Sequence, residues 1–165
     1  MNAIPTDNID TRREVDRWIG NYSEDHRNPT NIIVHWICVP LIVWSVMALL
    51  WVIPVPEIVG RPGLWAGVAM FFAMAFYLRL SRPLGFGMLA FFVVLGVITE
   101  LLYREIGPRE LLWLAIGVFV AAWIAQFIGH KIEGKKPSFL TDVAYLLIGP
   151  VWIVSKLMRR AGIAY

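Results

Sequence analysis

The sequence predicts an all-α integral membrane protein: four transmembrane helices, an N-terminal amphipathic helix, and a short fifth apolar segment that is either re-entrant or spanning. Three observations carry this. The 165 residues are 58% hydrophobic and only 16% charged, against about 25% charged in an ordinary soluble domain. The charges gather in short patches between long apolar runs. Those runs are close to the roughly 20 residues that a helix needs to cross a bilayer, and breakers separate them at Pro54-Val-Pro56, Ser81-Arg-Pro83 and Gly107-Pro108.

Residues 1–165 read as one membrane domain, with 1–10 as a tail. The first thirty residues carry Asp7, Asp10, Glu14 and Asp16 and hold no continuous apolar stretch, so no cleavable signal peptide is expected. Thr11-Arg-Arg-Glu14 has the Thr-x-x-Glu pattern of a capping box. After it, Val15, Trp18, Ile19 and Tyr22 fall on one helical face, and Arg13, Asp16, Arg17 and Glu24 fall on the other. The spacing predicts an amphipathic helix over 11–26, lying on the membrane surface or on the protein's own bundle. Asn28-Pro29 is expected to end it, because the residue before proline disfavours helix.

The membrane helices are expected at 32–53, 63–80, 84–103 and 111–130. The first is uncharged and interrupted only by His35 and Pro40; the second and third are short for untilted spans. The fifth apolar stretch, 139–155, contains Asp142 and Gly149-Pro150 and is marginal as a span. With the N-terminus inside, the inner segments carry nine Lys and Arg residues and the outer loops carry Arg61, Arg104 and Arg109. That bias orients the N-terminus to the cytoplasm, in a bacterial inner membrane or, in a eukaryote, the membrane of the endoplasmic reticulum. The beginning of the first membrane helix and the end of the fourth then share one face, with His26, His35 and His130 on it.

The net charge of +3 does not point to nucleic acid, because the Lys and Arg residues sit at the ends of apolar segments, where lipid headgroups lie. Cys38 has no partner cysteine and reads as packing. Glu100 and Arg104 are spaced to pair on one helix face. Lys135-Lys136 reads as a phosphate anchor, and the eight Trp residues fit interfacial belts. There is no phosphate-binding glycine loop, no Cys-x-x-Cys and no Gly-x-Ser-x-Gly, which argues against a nucleotide cofactor and against serine-hydrolase chemistry.

Two polar clusters stand beside otherwise apolar helices. In the first, Tyr22 and His26 are four apart, as are Asn31 and His35, so each pair can share a helix face. In the second, Gln126 precedes His130 by four and Glu133 follows it by three, which aims imidazole and carboxylate at one point if the helix continues. Imidazoles with a carboxylate suit iron, zinc or manganese, and either two His with Glu133 or three His are available. Asn31, Gln126 and Tyr22 are placed to orient the imidazoles, and Gly129 lets something approach the backbone beside His130. The bland alternative is that each histidine merely meets headgroups. Against it, all three histidines of the chain fall in these clusters, and His35 and Gln126 lie on apolar segments where an uncompensated polar group is costly.

The segment from Tyr22 through His26, Asn31 and His35 to Pro40, together with Gln126-Phe-Ile-Gly-His130-Lys-Ile-Glu133-Gly-Lys-Lys-Pro137 and the following Gly149-Pro150, resembles the yeast-type 2-hydroxy fatty acid dioxygenases, long classed as a domain of unknown function. The resemblance runs from about residue 14 to 158, with one departure where Cys38 stands in place of an expected glycine. It implies an Fe(2+)-dependent membrane enzyme of fatty acid α-oxidation that takes a long-chain 2-hydroxy fatty acid and O2 to the acid one carbon shorter, with CO2 and water. It implies His26, His35 and His130 as metal ligands, with Glu133, as a fourth ligand or base, and Tyr22 as catalytic groups. Asn31 and Gln126 would support the ligands, and Arg27 or Lys131 would balance the substrate carboxylate. The partners implied are this substrate, O2 and membrane lipids, with no nucleic acid. The rival class is a non-catalytic lipid-binding or scaffolding membrane protein whose histidine cluster is structural. A metal transporter would need ionisable residues at mid-membrane depth on several helices, and a di-iron desaturase would need more than three histidines.

Overall fold

The computed structural model describes residues 12–58, 60–140 and 143–165. The tail, the Thr11 cap and Asp142 lie outside the described residues. Every regular element among the described residues is a helix: α1 (Glu14–Glu24), α2 (Pro29–Trp51), α3 (Leu64–Leu80), α4 (Arg82–Ile106), α5 (Pro108–Glu133), a 3-10 turn at Ser138–Leu140, and α6 (Tyr145–Arg160).

In α1 the expected face is the buried one: Val15, Ile19 and Tyr22 are enclosed, while Arg17 and Glu24 are exposed. That face lies on the protein's own bundle. Trp18 meets the Tyr145 ring edge-on at 5.3 Å, and Tyr22 meets Trp152 at 5.4 Å. The helix starts one residue after Arg13, so Glu14 and Asp16 stand in its first turn and complement the free amides there. Arg13 pairs with Asp16 at 2.7 Å and also donates to the Tyr165 carbonyl at 2.7 Å, tying the C-terminal residue to α1. Asn28-Pro29 does more to start α2 than to end α1, which has already stopped at Glu24. The Asn28 side chain accepts from the Thr30 amide at 2.9 Å, and Pro29 takes the first helical turn, where it has no amide to lose.

Three helices, α2, α4 and α5, are long and apolar enough to cross a membrane. The third expected span lengthens to 25 residues. In contrast, α3 has 17 residues, about 25 Å of helix against a hydrocarbon core of about 30 Å. The outer surface carries apolar rows at helical spacing: Ile33 and Ile37 on α2, Val93, Val97 and Leu101 on α4, and Ile124 and Ile128 on α5, all more than half exposed. Such rows need an apolar medium, and the all-helical membrane-protein class stands on them together with the three long helices. The Glu100–Arg104 pair is present at 2.6 Å.

The closest-packed helices are α2 and α5, which run antiparallel so that the start of one meets the end of the other. Ala115, Ala122 and Gly129 recur at every seventh residue on the buried stripe of α5 and let the backbones approach. The group that uses the space at Gly129 is Asn31, fully buried on α2; a Cβ at Gly129 would collide with its carboxamide oxygen.

The marginal fifth segment becomes α6, and all eight residues from Ile148 to Ser155 are buried. It packs on α1, α2 and α4, which enclose this central stretch, while Leu146 and Leu157 towards its two ends remain exposed. The Tyr77 hydroxyl of α3 donates to the Leu147 carbonyl at 2.9 Å and fixes α6 against that helix.

Candidate metal centre

Antiparallel packing of α2 and α5, with the α1–α2 turn folded over their junction, brings three imidazoles together. His26 comes from the turn, His35 from the second turn of α2, and His130 from the last turn of α5. All three are buried, at 3%, 1% and 4% exposure. One ring nitrogen from each lies within 4.8 Å of the others, and the ring centroids are 4.2, 4.9 and 5.1 Å apart.

Hydrogen bonding fixes two of the tautomers. His26 Nδ1 is 2.6 Å from the Tyr22 carbonyl, and His35 Nδ1 is 2.9 Å from the Asn31 carbonyl. A carbonyl only accepts, so both Nδ1 atoms carry the proton. In the neutral rings both Nε2 atoms are therefore bare, yet they face one another at 3.1 Å. Two lone pairs so placed repel unless a cation or an extra proton lies between them. Burial pushes the His26 pKa down and disfavours the proton. The third ring sharpens the point: His130 Nδ1 is buried with no hydrogen-bond partner among the described residues. Nitrogens bonded to one first-row cation at about 2.0–2.1 Å sit about 2.9–3.4 Å apart for angles of roughly 90–110°. The donor set fits a metal ion.

The four-residue spacings recognised in the sequence work through the backbone. A histidine at i+4 reaches the carbonyl of residue i, so Tyr22 and Asn31 orient the imidazoles with main-chain oxygens. The Tyr22 ring does more, stacking on His26 at 4.1 Å and 21°. Burial raises its phenol pKa, keeping the hydroxyl protonated. Tyr22, His35, Gln126 and His130 line one cavity of about 50 Å³ together with Tyr145, Gly149 and Pro150. That volume holds a few water-sized molecules. At Gly149 any Cβ would stand 3.1 Å from the Tyr22 hydroxyl, which only glycine avoids.

Glu133 is elsewhere. One carboxylate oxygen accepts from the Arg27 and Asn28 amides at 3.0 and 3.1 Å; the other accepts from the Asn28 amide at 2.9 Å and Asn31 Nδ2 at 3.1 Å. It joins the end of α5 to the start of α2 and is not among the three groups that converge. Arg27 and Lys131 are exposed and line no part of the cavity.

Two contributors escaped the sequence reading. Trp152, fully buried, backs Tyr22 and His26 at 5.4 and 5.8 Å and donates from Nε1 to Ser23 Oγ at 2.8 Å; as a tryptophan in a membrane protein it looked interfacial. Asp25 receives Lys135 Nζ at 3.1 Å and Ser138 Oγ at 3.0 Å, so Lys135 closes the site's outer loops instead of standing free for phosphate. Neither residue repeats at a spacing that would have marked it.

A family model described as 2-hydroxy-palmitic acid dioxygenase Mpo1-like matches residues 12–161. The 2-hydroxy-palmitic acid dioxygenase MPO1 of Saccharomyces cerevisiae is 27% identical over 151 residues, covering 87% of this chain and 79% of the yeast protein. No solved structure matches the chain.

Proposed function

This chain belongs to the 2-hydroxy-palmitic acid dioxygenase Mpo1-like family, and on that premise we propose that it is a ferrous-iron dioxygenase of fatty acid α-oxidation. The substrate would be a long-chain 2-hydroxy fatty acid. The reaction balances with one O2 per turnover: the acid one carbon shorter, CO2 and one water are formed, and O2 takes up all four electrons. No nicotinamide or oxo-acid co-substrate is required. The observation that carries the reading is the pair of facing, unprotonated His26 and His35 Nε2 atoms at 3.1 Å with a buried third imidazole beside them.

His26, His35 and His130 would hold the iron. When bound, it supplies activation of O2 and a seat for the substrate's carboxylate and 2-hydroxyl. The chain's own residues do the rest. The Tyr22 and Asn31 carbonyls hold two imidazoles in the tautomer that presents Nε2. The protonated Tyr22 hydroxyl and the Gln126 carboxamide line the same cavity and are suited to hydrogen-bond the substrate head. Glu133 acts as a positioning residue, holding the His26 turn and the start of α2 onto α5 through the four hydrogen bonds described above. A four-helix crossing with a cytoplasmic N-terminus, α3 completing the set with its flanking residues reaching for the interface, is the topology that fits the Lys and Arg bias.

Chelation tests the iron directly. Protein treated with a ferrous chelator is expected to lose turnover of 2-hydroxypalmitate and to regain it on addition of Fe(2+) but not Zn(2+). A scaffold with a structural histidine cluster would carry no stoichiometric iron and show no turnover to lose.

A further inference from the structure

The small cavity at the histidines shares a wall with a larger one. Ile42, Val43, Trp123, Leu146 and Pro150 line both it and a second cavity of about 400 Å³. The second is walled by α2, α3, α5 and α6 with Phe92 of α4, with Tyr77 beside Leu147 at the near end and Met47, Leu50 and Ala66 away from the histidines. Its volume lies within the roughly 300–1,000 Å³ of ligand pockets. The wall is almost wholly apolar, and its α3 side carries Ala66, Ala69 and Ala73, small residues at helical spacing that leave the space open. Val46 and Leu146, both over 40% exposed, stand on its rim, so the space opens on the outward apolar surface.

We propose that this groove binds the acyl chain, admitted sideways from the bilayer, and that Leu50, Ala66 and Ala69 form the far end that sets the longest chain accepted. The proposal rests on the dioxygenase reading, which puts a carboxylate head at the histidines; the five shared wall residues then put the larger apolar space next to that head, where the tail would run. The length agrees. Helix rise puts Leu50 about 22 Å along α2 from His35, more than the roughly 15 Å that one leaflet of acyl chain occupies.

The test uses the full-length wild-type protein in lipid nanodiscs, loaded with iron and kept free of O2, with 2-hydroxypalmitate bearing a diazirine at its terminal carbon. Photolysis is expected to label Met47 to Leu50 and Ala66 to Met70. Label confined to outward residues such as Phe72 and Ile124, or spread evenly over the apolar surface, overturns the proposal. A second measurement compares turnover of 2-hydroxyoctanoate and 2-hydroxypalmitate by Ala69→Phe, a change at an exposed position. The ratio is expected to shift toward the short acid by at least about tenfold, the discrimination that pocket length gives against a few methylenes. A ratio unchanged from wild type overturns the proposal, and as a ratio it is independent of how much variant folds. If the wild type shortens no 2-hydroxy acid of any length, the dioxygenase reading fails, whereas the labelling pattern reads the groove without turnover.

Discussion

Replacing His130 with alanine is expected to abolish iron binding and to cut turnover of 2-hydroxypalmitate by at least about 100-fold, the upper end of what losing even an outer partner of a metal ligand costs. The position suits the test because the fold asks little of the ring. His130 Nδ1 has no hydrogen-bond partner among the described residues, so the truncation orphans no neighbour there. The metal, by contrast, would lose one of three ligands. The remaining pair, His26 and His35, are held by main-chain carbonyls and stay in place. Iron per chain, turnover and the thermal midpoint should therefore separate: the first two collapse and the third moves by a few degrees at most. A variant that keeps full iron and full activity would remove His130 from the site.

Trp152→Ala is expected to be the most destabilising single truncation near the site, by about 3–5 kcal/mol, the range for emptying a buried aromatic position. The ring is 0% exposed, backs both Tyr22 and His26, and carries Lys156 Nζ over its face at 4.0 Å. Its loss opens a void where α1 and α6 meet and frees the stack that holds His26. Trp152→Phe keeps most of the packing and gives up the bond to Ser23 Oγ, so it should cost about 1 kcal/mol. Unfolding in mild detergent measures both. If the two variants are equally stable, the ring is not what holds α6 on α1.

Much of this was legible in the sequence, for identifiable reasons. Helices with one environment per face announce themselves: the Val15, Ile19, Tyr22 stripe and the apolar runs of α2, α4 and α5 are local patterns, and residue spacing alone is enough to find them. The histidine juxtaposition was legible because the four apolar runs, read as alternating in direction, bring the end of the last back to the start of the first, and α5 does pack on α2 in this way. Other features depend on contacts between distant segments. The burial of 148–155 in α6 follows from α1, α2 and α4 packing on it, and 139–155 alone reads the same whether it crosses, turns back or is enclosed. Glu133 sits three residues after His130, as a ligand pair would, but α5 ends at that residue and its carboxylate finds the free amides of Arg27 and Asn28 instead. Arg27 and Lys131 have the right charge and neighbours for a substrate carboxylate, but both are exposed and neither lines the cavity. The groove beyond the histidines left only one trace in the chain, the alanines of α3, which by themselves look like ordinary membrane-helix packing.

The proposed removal of one carbon from a 2-hydroxy fatty acid, with iron at His26, His35 and His130, is tested most directly by the identity of the product. With Fe(2+), O2 and 2-hydroxypalmitate, the wild-type protein is expected to form pentadecanoic acid and CO2 in equal amounts, read by mass spectrometry and gas analysis. Unchanged substrate, or an oxidised product that keeps every carbon of the chain, would contradict it.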